Sequence, residues 1–193
     1  ILSGEGADEI FTGYARYMPI YMQWKLNKRY PSYEYLFGKL YGTYEEGYAK
    51  LTNRGNDNLD LIKKIMKKYF EMFENPVTAM CYFDFKVILP SLLQMGDRMS
   101  AAFGVENRCP FLDKDIIEFG FNLNVEQKIN FNQQKLILRN ILKKRLSSKY
   151  SEIEKKGLTI KFNKWYNVKS WDRGKYFKLL FKNWKSAYNL KSY

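Results

Sequence analysis

A chain of 193 residues that is 46% hydrophobic and 18% aromatic, with 16 Tyr and 14 Phe, has the apolar mass for one packed domain and not the composition of a disordered one. Two distant cysteines and no histidine rule out a zinc site for want of ligands, argue against a disulfide scaffold, and leave catalysis to carboxylates, lysines, tyrosines and bound phosphate. The net charge of +13 is uneven: residues 1–127 carry 15 Lys/Arg against 17 Asp/Glu, and residues 128–193 carry 18 against 3. A basic end of that kind suits nucleic acid or an anionic surface. Its lysines are spread between aromatics and few are replaced by arginine, so nucleic acid ranks second. No apolar run approaches the roughly 20 residues of a membrane span, and no basic-then-apolar signal segment is present. The expected setting is cytoplasmic with reduced thiols, and the opening Ile-Leu-Ser-Gly reads as the interior of a domain.

The first element is the stretch from Ser3 to Tyr14. Gly4 and Gly6 flank Glu5 and let the backbone turn sharply and approach a ligand closely. Ser3 and Asp8 are the two candidates to cap a helix whose first turn is acidic. The turn therefore reads either as a capped helix start or as a place where Glu5, Asp8 and backbone N–H groups surround a metal–phosphate complex. From Asp8 to about Lys25, Ile10, Phe11, Tyr14, Tyr17, Met18 and Tyr21 recur at helical spacing. Tyr30-Pro31 breaks that helix, Ser32 starts a second, and 52–58 is a polar loop.

Leu59 to Phe73 is amphipathic, with Leu59, Ile62, Ile65, Met66, Tyr69, Phe70 and Phe73 inward and Lys63, Lys64, Lys67 and Lys68 outward. Asn75-Pro76 starts a helix that runs through Val77, Met80, Phe83, Val87 and Ile88 to Pro90. Cys81 within it reads as a small buried apolar group. Asp97 and Arg98 sit among small and apolar residues where an unpaired charge is costly, so an internal network with Glu106 and Arg108 is one reading of the segment. Asp113 caps a helix through Ile116, Ile117, Phe119 and Phe121. Lys135 and Arg139 lie four apart on a further helix and share a face. Beyond Trp165, residues 166–193 read as a closing basic aromatic helix.

Three blocks, in order, resemble the asparagine synthase family. Residues 3–14 are similar to its S-G-E-G-x-D-E-x-F-G-G-Y signature, with Thr12 in place of one glycine. Residues 97–113 match D-R-x-S-x-x-x-G-x-E-x-R-x-P-F-L-D at each fixed position, with Cys109 where valine is usual. Residues 135–139 resemble K-x-x-L-R. A fourth, weaker block, 154–165, resembles R-x-K-x-G-F-x-x-P-x-x-x-W but lacks the arginine, and Leu158 and Lys161 replace Phe and Pro. The resemblance covers about residues 1–165.

The resemblance implies an ATP-dependent, AMP-forming amide ligase that adenylates the aspartate side chain and converts it to asparagine with glutamine-derived ammonia. It implies ATP and Mg2+, with magnesium pyrophosphate near Glu5 and Asp8. Lys135 would offset charge on the α-phosphate and pyrophosphate, and Glu5 would orient substrate, assist ammonia deprotonation or bear on magnesium. Ser3, Gly4, Gly6, Asp8, Asp97, Arg98, Arg108, Arg139 and Lys156 would line the substrate and nucleotide pocket. No S-G-G-x-D-S pyrophosphate loop and no glutaminase domain with an N-terminal cysteine is found in the chain. The implied fold is therefore mainly α, the helical C-terminal portion of an α/β adenine-nucleotide α-hydrolase-like (ATP-pyrophosphatase) domain, with most of the parallel sheet absent. Inactivity as an isolated piece is expected. β-lactam-forming and peptide-cyclising relatives share the scaffold, and a non-catalytic basic module is the reading from another class.

Overall fold

The computed structural model describes residues 1–29, 59–146, 150 and 153. The chain divides into two units, Ile1–Glu152 and Ile153–Tyr193, and the described elements lie in the first. The expected break at Tyr30-Pro31, the helix after Ser32, the loop at 52–58, the block 154–165 with Lys156, and the tail 166–193 lie outside the described residues.

A single turn, α1 (Ala7–Ile10), begins the chain. Its N-cap is neither Ser3 nor Asp8 but Gly6, at φ 88, where a side chain would be strained and a Cβ would lie 2.2 Å from Leu112 Cδ2. Glycine is thus required at position 6. At Gly4 a Cβ would meet nothing within 4 Å, so the described structure does not demand glycine there.

The helix expected from Asp8 to Lys25 is interrupted, because Thr12 adopts a left-handed φ of 59 and ends α1. A new helix, α2, runs from Tyr17 to Arg29. The Thr12 hydroxyl donates to the carbonyls of Phe11 (2.6 Å) and Lys128 (3.0 Å), which holds a β-branched residue where such residues are rare.

Helix α3 spans Leu59–Phe70 and buries Met66 and Phe70, with Lys64, Lys67 and Lys68 exposed as expected. Ile65, expected inside, is 42% exposed. Helix α4 (Pro76–Phe83) opens as the sequence indicates: Asn75 Oδ1 accepts from the N–H groups of Val77 (2.9 Å) and Thr78 (3.3 Å), with Pro76 in the first turn.

Pro90 does not end this helix. A π-turn, Asp84–Ile88, follows α4 directly and leads into α5 (Leu89–Ala101). The Leu89 N–H bonds back to Asp84 O, five residues away, so the ladder is already widened where the proline ring arrives. The wide turn also shifts the phase of the apolar face. Val87 is turned out, and Leu89 is buried.

Taken together, Pro76–Ala101 makes 26 continuous helical residues with an 18-residue window of mean hydropathy 1.3, long and apolar enough to cross a membrane by length and composition. No contiguous apolar run in the sequence indicates this. In the structure 44% of that window is buried within the chain, and the ion-paired Asp84 lies inside it.

Gly104 (φ 67) closes α5: its N–H reaches Ala101 O and the Val105 N–H reaches Ser100 O. A short 3-10 turn at Pro110–Leu112 precedes α6 (Lys114–Asn122), which Asp113 caps by accepting from Asp115 N at 3.0 Å. Helix α6 comes close to α1 through Gly120, where a Cβ would lie 2.1 Å from Ile10 Cγ2. After α7 (Val125–Lys128), Asn130 Oδ1 accepts from the N–H groups of Asn132 and Gln133, and a bridge pairs Ile129 with Gln134. That tight return delivers the chain to α8 (Leu136–Arg145).

The core gathers Tyr17, Ile20 and Tyr21 of α2, Met66 and Phe70 of α3, Val77, Met80 and Phe83 of α4, and Val125 and Ile129. Phe121 packs against it and meets Tyr82 and Phe85 edge-on, as the aromatic composition implies. Among the described residues the fold is helical, with isolated bridges and no strand. One of those bridges is parallel, between Leu2 and Arg108.

Candidate functional site

The opening turn meets the second block through the backbone and one side chain. Ser3 N–H donates to Arg108 O at 2.9 Å, Arg108 N–H donates to Ile1 O at 2.8 Å, and Ser3 Oγ lies 3.2 Å from Cys109 Sγ. Cys109, in the position where valine was noted above, thereby gives Ser3 a polar neighbour as well as packing volume.

It meets the third block through charge. Lys135 Nζ lies 2.8 Å from Asp8 Oδ1, with each side chain about a quarter exposed (26% and 27%). Beside this pair, Gln134 Nε2 donates to Tyr14 O at 2.7 Å. Lys135 is not within a helix as its sequence spacing suggests. It is the N-cap of α8, at φ 55, so its ammonium and the unbonded first N–H groups of the helix share one end. Arg139 lies one turn on from Lys135: its own N–H bonds Lys135 O, and its Nε turns back to Gln134 O at 3.0 Å. That contact fixes the return that carries Lys135.

Asp97, Arg98 and Arg108 form no ion pair with Asp8 or Lys135 among the described residues. Asp97 and Arg98 are exposed on α5, and among the described residues neither makes an ion pair, so the expected internal network does not form around them. Arg108 pairs with Glu106 at 2.9 Å, both about 70% exposed (70% and 72%). The apparent cost of burying Asp97 and Arg98 disappears because the helix presents them to solvent. Glu5 is half-buried and Gly4 exposed. Among the described residues no three Asp, Glu or Cys side chains gather to hold a metal. With Asp8 engaged by Lys135, the described residues do not make a magnesium cage by themselves.

Beneath the turn lies a set of buried charges that the sequence reading passed over. Asp84, fully buried in the π-turn, accepts from Arg16 Nη2 at 2.7 Å, from Arg16 Nε at 3.2 Å and from the Tyr17 hydroxyl. The Arg16 guanidinium also lies 3.9 Å from the Tyr14 ring centre. Tyr14 in turn donates to the buried Glu9 at 2.6 Å. Burial raises the Glu9 carboxyl above its ordinary value despite that hydrogen bond, and burial and Glu9 push the Tyr14 phenol up.

Lys128 is wholly buried; its ammonium donates to Gly120 O at 3.0 Å, and burial lowers its pKa. Cys81 is the inert buried thiol expected, pushed up to about 12 by burial. The available signal for Asp84 was an acid set between Phe83 and Phe85 in an apolar helix. For Arg16 it was a cation among Tyr14, Tyr17 and Tyr21. An open apolar groove of about 340 Å³, lined by Phe85, Lys86, Leu89, Pro90, Leu93, Leu112 and Ile117, lies along the start of α5.

Chemically, the Asp8–Lys135 end offers a partly exposed ammonium at a helix N-terminus, a setting that favours a phosphate or another oxyanion. A family model described as asparagine synthase matches residues 1–179, past Trp165, where the motif resemblance stops. The chain is 29% identical over 153 residues to asparagine synthetase [glutamine-hydrolyzing] 3 of Bacillus subtilis (strain 168), covering 73% of this chain and 23% of that protein. It is 25% identical over 130 residues to putative asparagine synthetase [glutamine-hydrolyzing] 1 of Methanocaldococcus jannaschii, covering 67% and 15% respectively. The chain thus spans under a quarter of the length of these curated relatives. No solved structure matches it.

Proposed function

The chain belongs to the asparagine synthase family, and on that premise we propose that residues 1–193 serve as the C-terminal part of an ATP-dependent, AMP-forming amide ligase domain. The complete domain has the α/β ATP-pyrophosphatase fold, and its nucleotide-binding sheet and pyrophosphate loop come from sequence outside this chain. The reaction joins two anions. A side-chain carboxylate oxygen of aspartate attacks the α-phosphorus of ATP, and the bond to pyrophosphate breaks. Ammonia then attacks the acyl carbon of the adenylate, AMP leaves with the bonding pair, and a proton is lost from nitrogen to give asparagine.

Lys135 offsets the negative charge that builds on the α-phosphate and leaving pyrophosphate, where a preorganised ammonium stabilises the transition state more than the ground state. Glu5 orients the substrate or receives the ammonia proton. Ser3, Gly4, Gly6 and Asp8 form one wall, Asp97, Arg98 and Arg108 a second, and Arg139 supports Lys135; the motif resemblance adds Lys156 to the nucleotide-binding residues. ATP enters as its magnesium complex. Ammonia comes from a glutaminase in the complete protein, in keeping with the glutamine-hydrolysing names of the relatives, and the working compartment is the cytoplasm.

The observation that carries this reading is the convergence of the first and third blocks on one ion pair, Asp8–Lys135, at the start of a helix. The test is ATP–pyrophosphate exchange by the complete protein. Exchange that requires aspartate and is lost in Lys135→Ala supports the assignment. Exchange that proceeds without aspartate, driven by a β-amino acid or peptide acid, would transfer the chain to a ring-forming relative.

A further inference from the structure

Gly13 is the residue on which the Asp8–Lys135 pair rests. A Cβ built there would lie 1.8 Å from Asp8 Oδ1, 2.8 Å from Asp8 Cγ and 2.2 Å from Lys135 Cε. No side chain larger than hydrogen fits beneath the pair as it stands. The reason is not conformational, because Gly13 is absent from the left-handed positions, which are held by Gly6, Thr12, Gly104 and Lys135. Hydrogen bonds fix the geometry on both sides. The Gly13 N–H donates to Asp8 O at 2.8 Å, and Gln134 Nε2 donates to Tyr14 O at 2.7 Å, which holds the 134–135 segment against 13–14. Arg139 closes the return from the far side through Gln134 O.

We propose that Gly13 and Asp8 are positioning residues for Lys135: Asp8 aims its ammonium, and Gly13 provides the bare surface across which the lysine stem reaches that carboxylate. This rests on the reading of Lys135 as the phosphate-facing lysine. It assigns Asp8 a task separate from metal binding, and it gives Gly13 a role that acts through Lys135 and not by touching substrate. Filling position 13 lifts the stem and the carboxylate together, and misplacement of a charge-stabilising group by about 1 Å is enough to cost about 10²-fold in rate.

The experiment compares wild type, Gly13→Ala and Asp8→Asn in the complete protein by two measurements. One is trace acetylation with acetic anhydride, read at Lys135 by mass spectrometry with the exposed Lys86 as internal reference. The other is ATP–pyrophosphate exchange. Release of Lys135 from its carboxylate should raise its acetylation relative to Lys86 by about twofold to fivefold in both variants, the scale of a partly exposed ion pair. Exchange in Gly13→Ala should lose kcat by about tenfold to 10²-fold while KM for ATP and aspartate stays close to wild type.

Unchanged Lys135 acetylation in both variants overturns the proposal, as does a Gly13→Ala enzyme with wild-type kcat. If Gly13→Ala unfolds, seen as faster acetylation of every lysine, Asp8→Asn, which adds no volume, decides alone. A wild type without exchange refutes the assigned activity, and the acetylation result still decides the positioning.

Discussion

Two stretches of this chain carry equally dense motifs and are built in opposite ways. The opening turn, residues 3–14, is closed from within: Asp8 meets Lys135, Gly6 lies against Leu112, and Glu9 is sealed under Tyr14. The segment from Met95 to Arg108 faces outward. Asp97 and Arg98 are exposed, and Met95, Met99 and Phe103, spaced four apart, are 64%, 70% and 83% exposed. One region has its partners among the described residues and the other presents its groups to solvent. A motif therefore identifies residues that carry chemistry without telling whether their charges are already satisfied.

The contrast breaks first at Asp84, on which the interior side depends. Asp84→Ala removes the buried carboxylate that accepts from the Arg16 guanidinium and the Tyr17 hydroxyl, and should cost about 3–5 kcal/mol in denaturant unfolding of the complete protein. A loss below about 1 kcal/mol would mean that the turn is not held from beneath.

Lys128 tests the same interior through pH. Its folded pKa is depressed by burial, so the unfolded chain binds the proton more tightly. Stability should then rise with pH from that depressed value up to the ordinary lysine value of about 10.4. The effect is lost as pH falls through the same window. Lys128→Met should flatten this dependence in melting curves taken across alkaline pH, and an unchanged slope would place the titration elsewhere.

At Thr12 the expected effect is smaller and depends on the replacement. Thr12→Val keeps the left-handed strain and removes the donor to two carbonyls. Thr12→Gly removes the donor but relieves the strain. The valine variant should therefore be less stable by about 1–2 kcal/mol. On the outward side, Arg98→Ala should change stability by no more than about 0.5 kcal/mol while lowering ATP–pyrophosphate exchange. A marked drop in melting temperature with exchange intact would show that Arg98 belongs to the packing after all.

How far the sequence led depended on the range of the interaction. Local chemistry was readable: the Asn75-Pro76 start, the Asp113 cap, the Met66 and Phe70 face, and the buried thiol of Cys81. So was the likeness of three blocks to one family, though not how far along the chain it extends. Interactions between distant residues were not readable. Nothing in the spacing of Lys135 reveals a left-handed N-cap, because the tight return through Asn130 that creates it is a side-chain hydrogen-bond pattern and not a periodicity. Helical periodicity also carried the first helix straight through Thr12, where hydrogen bonds to Phe11 O and Lys128 O override it. Pro90 signals a stop in the sequence because a proline ordinarily breaks the ladder. The π-turn had already widened that ladder.

The adjacent pair Thr12-Gly13 bears on what this turn will tolerate. Position 12 is limited by a dihedral angle and position 13 by volume, and these are independent filters. A screen of all substitutions across the two should return two different spectra. Position 12 should accept residues at ease in the left-handed region, glycine and asparagine among them, along with the resident threonine. Position 13 should accept glycine alone, whatever the dihedral preference of the newcomer. Two neighbouring glycines in a signature can thus be two unlike constraints, and only the first can drift without moving a lysine that lies more than a hundred residues further along the chain.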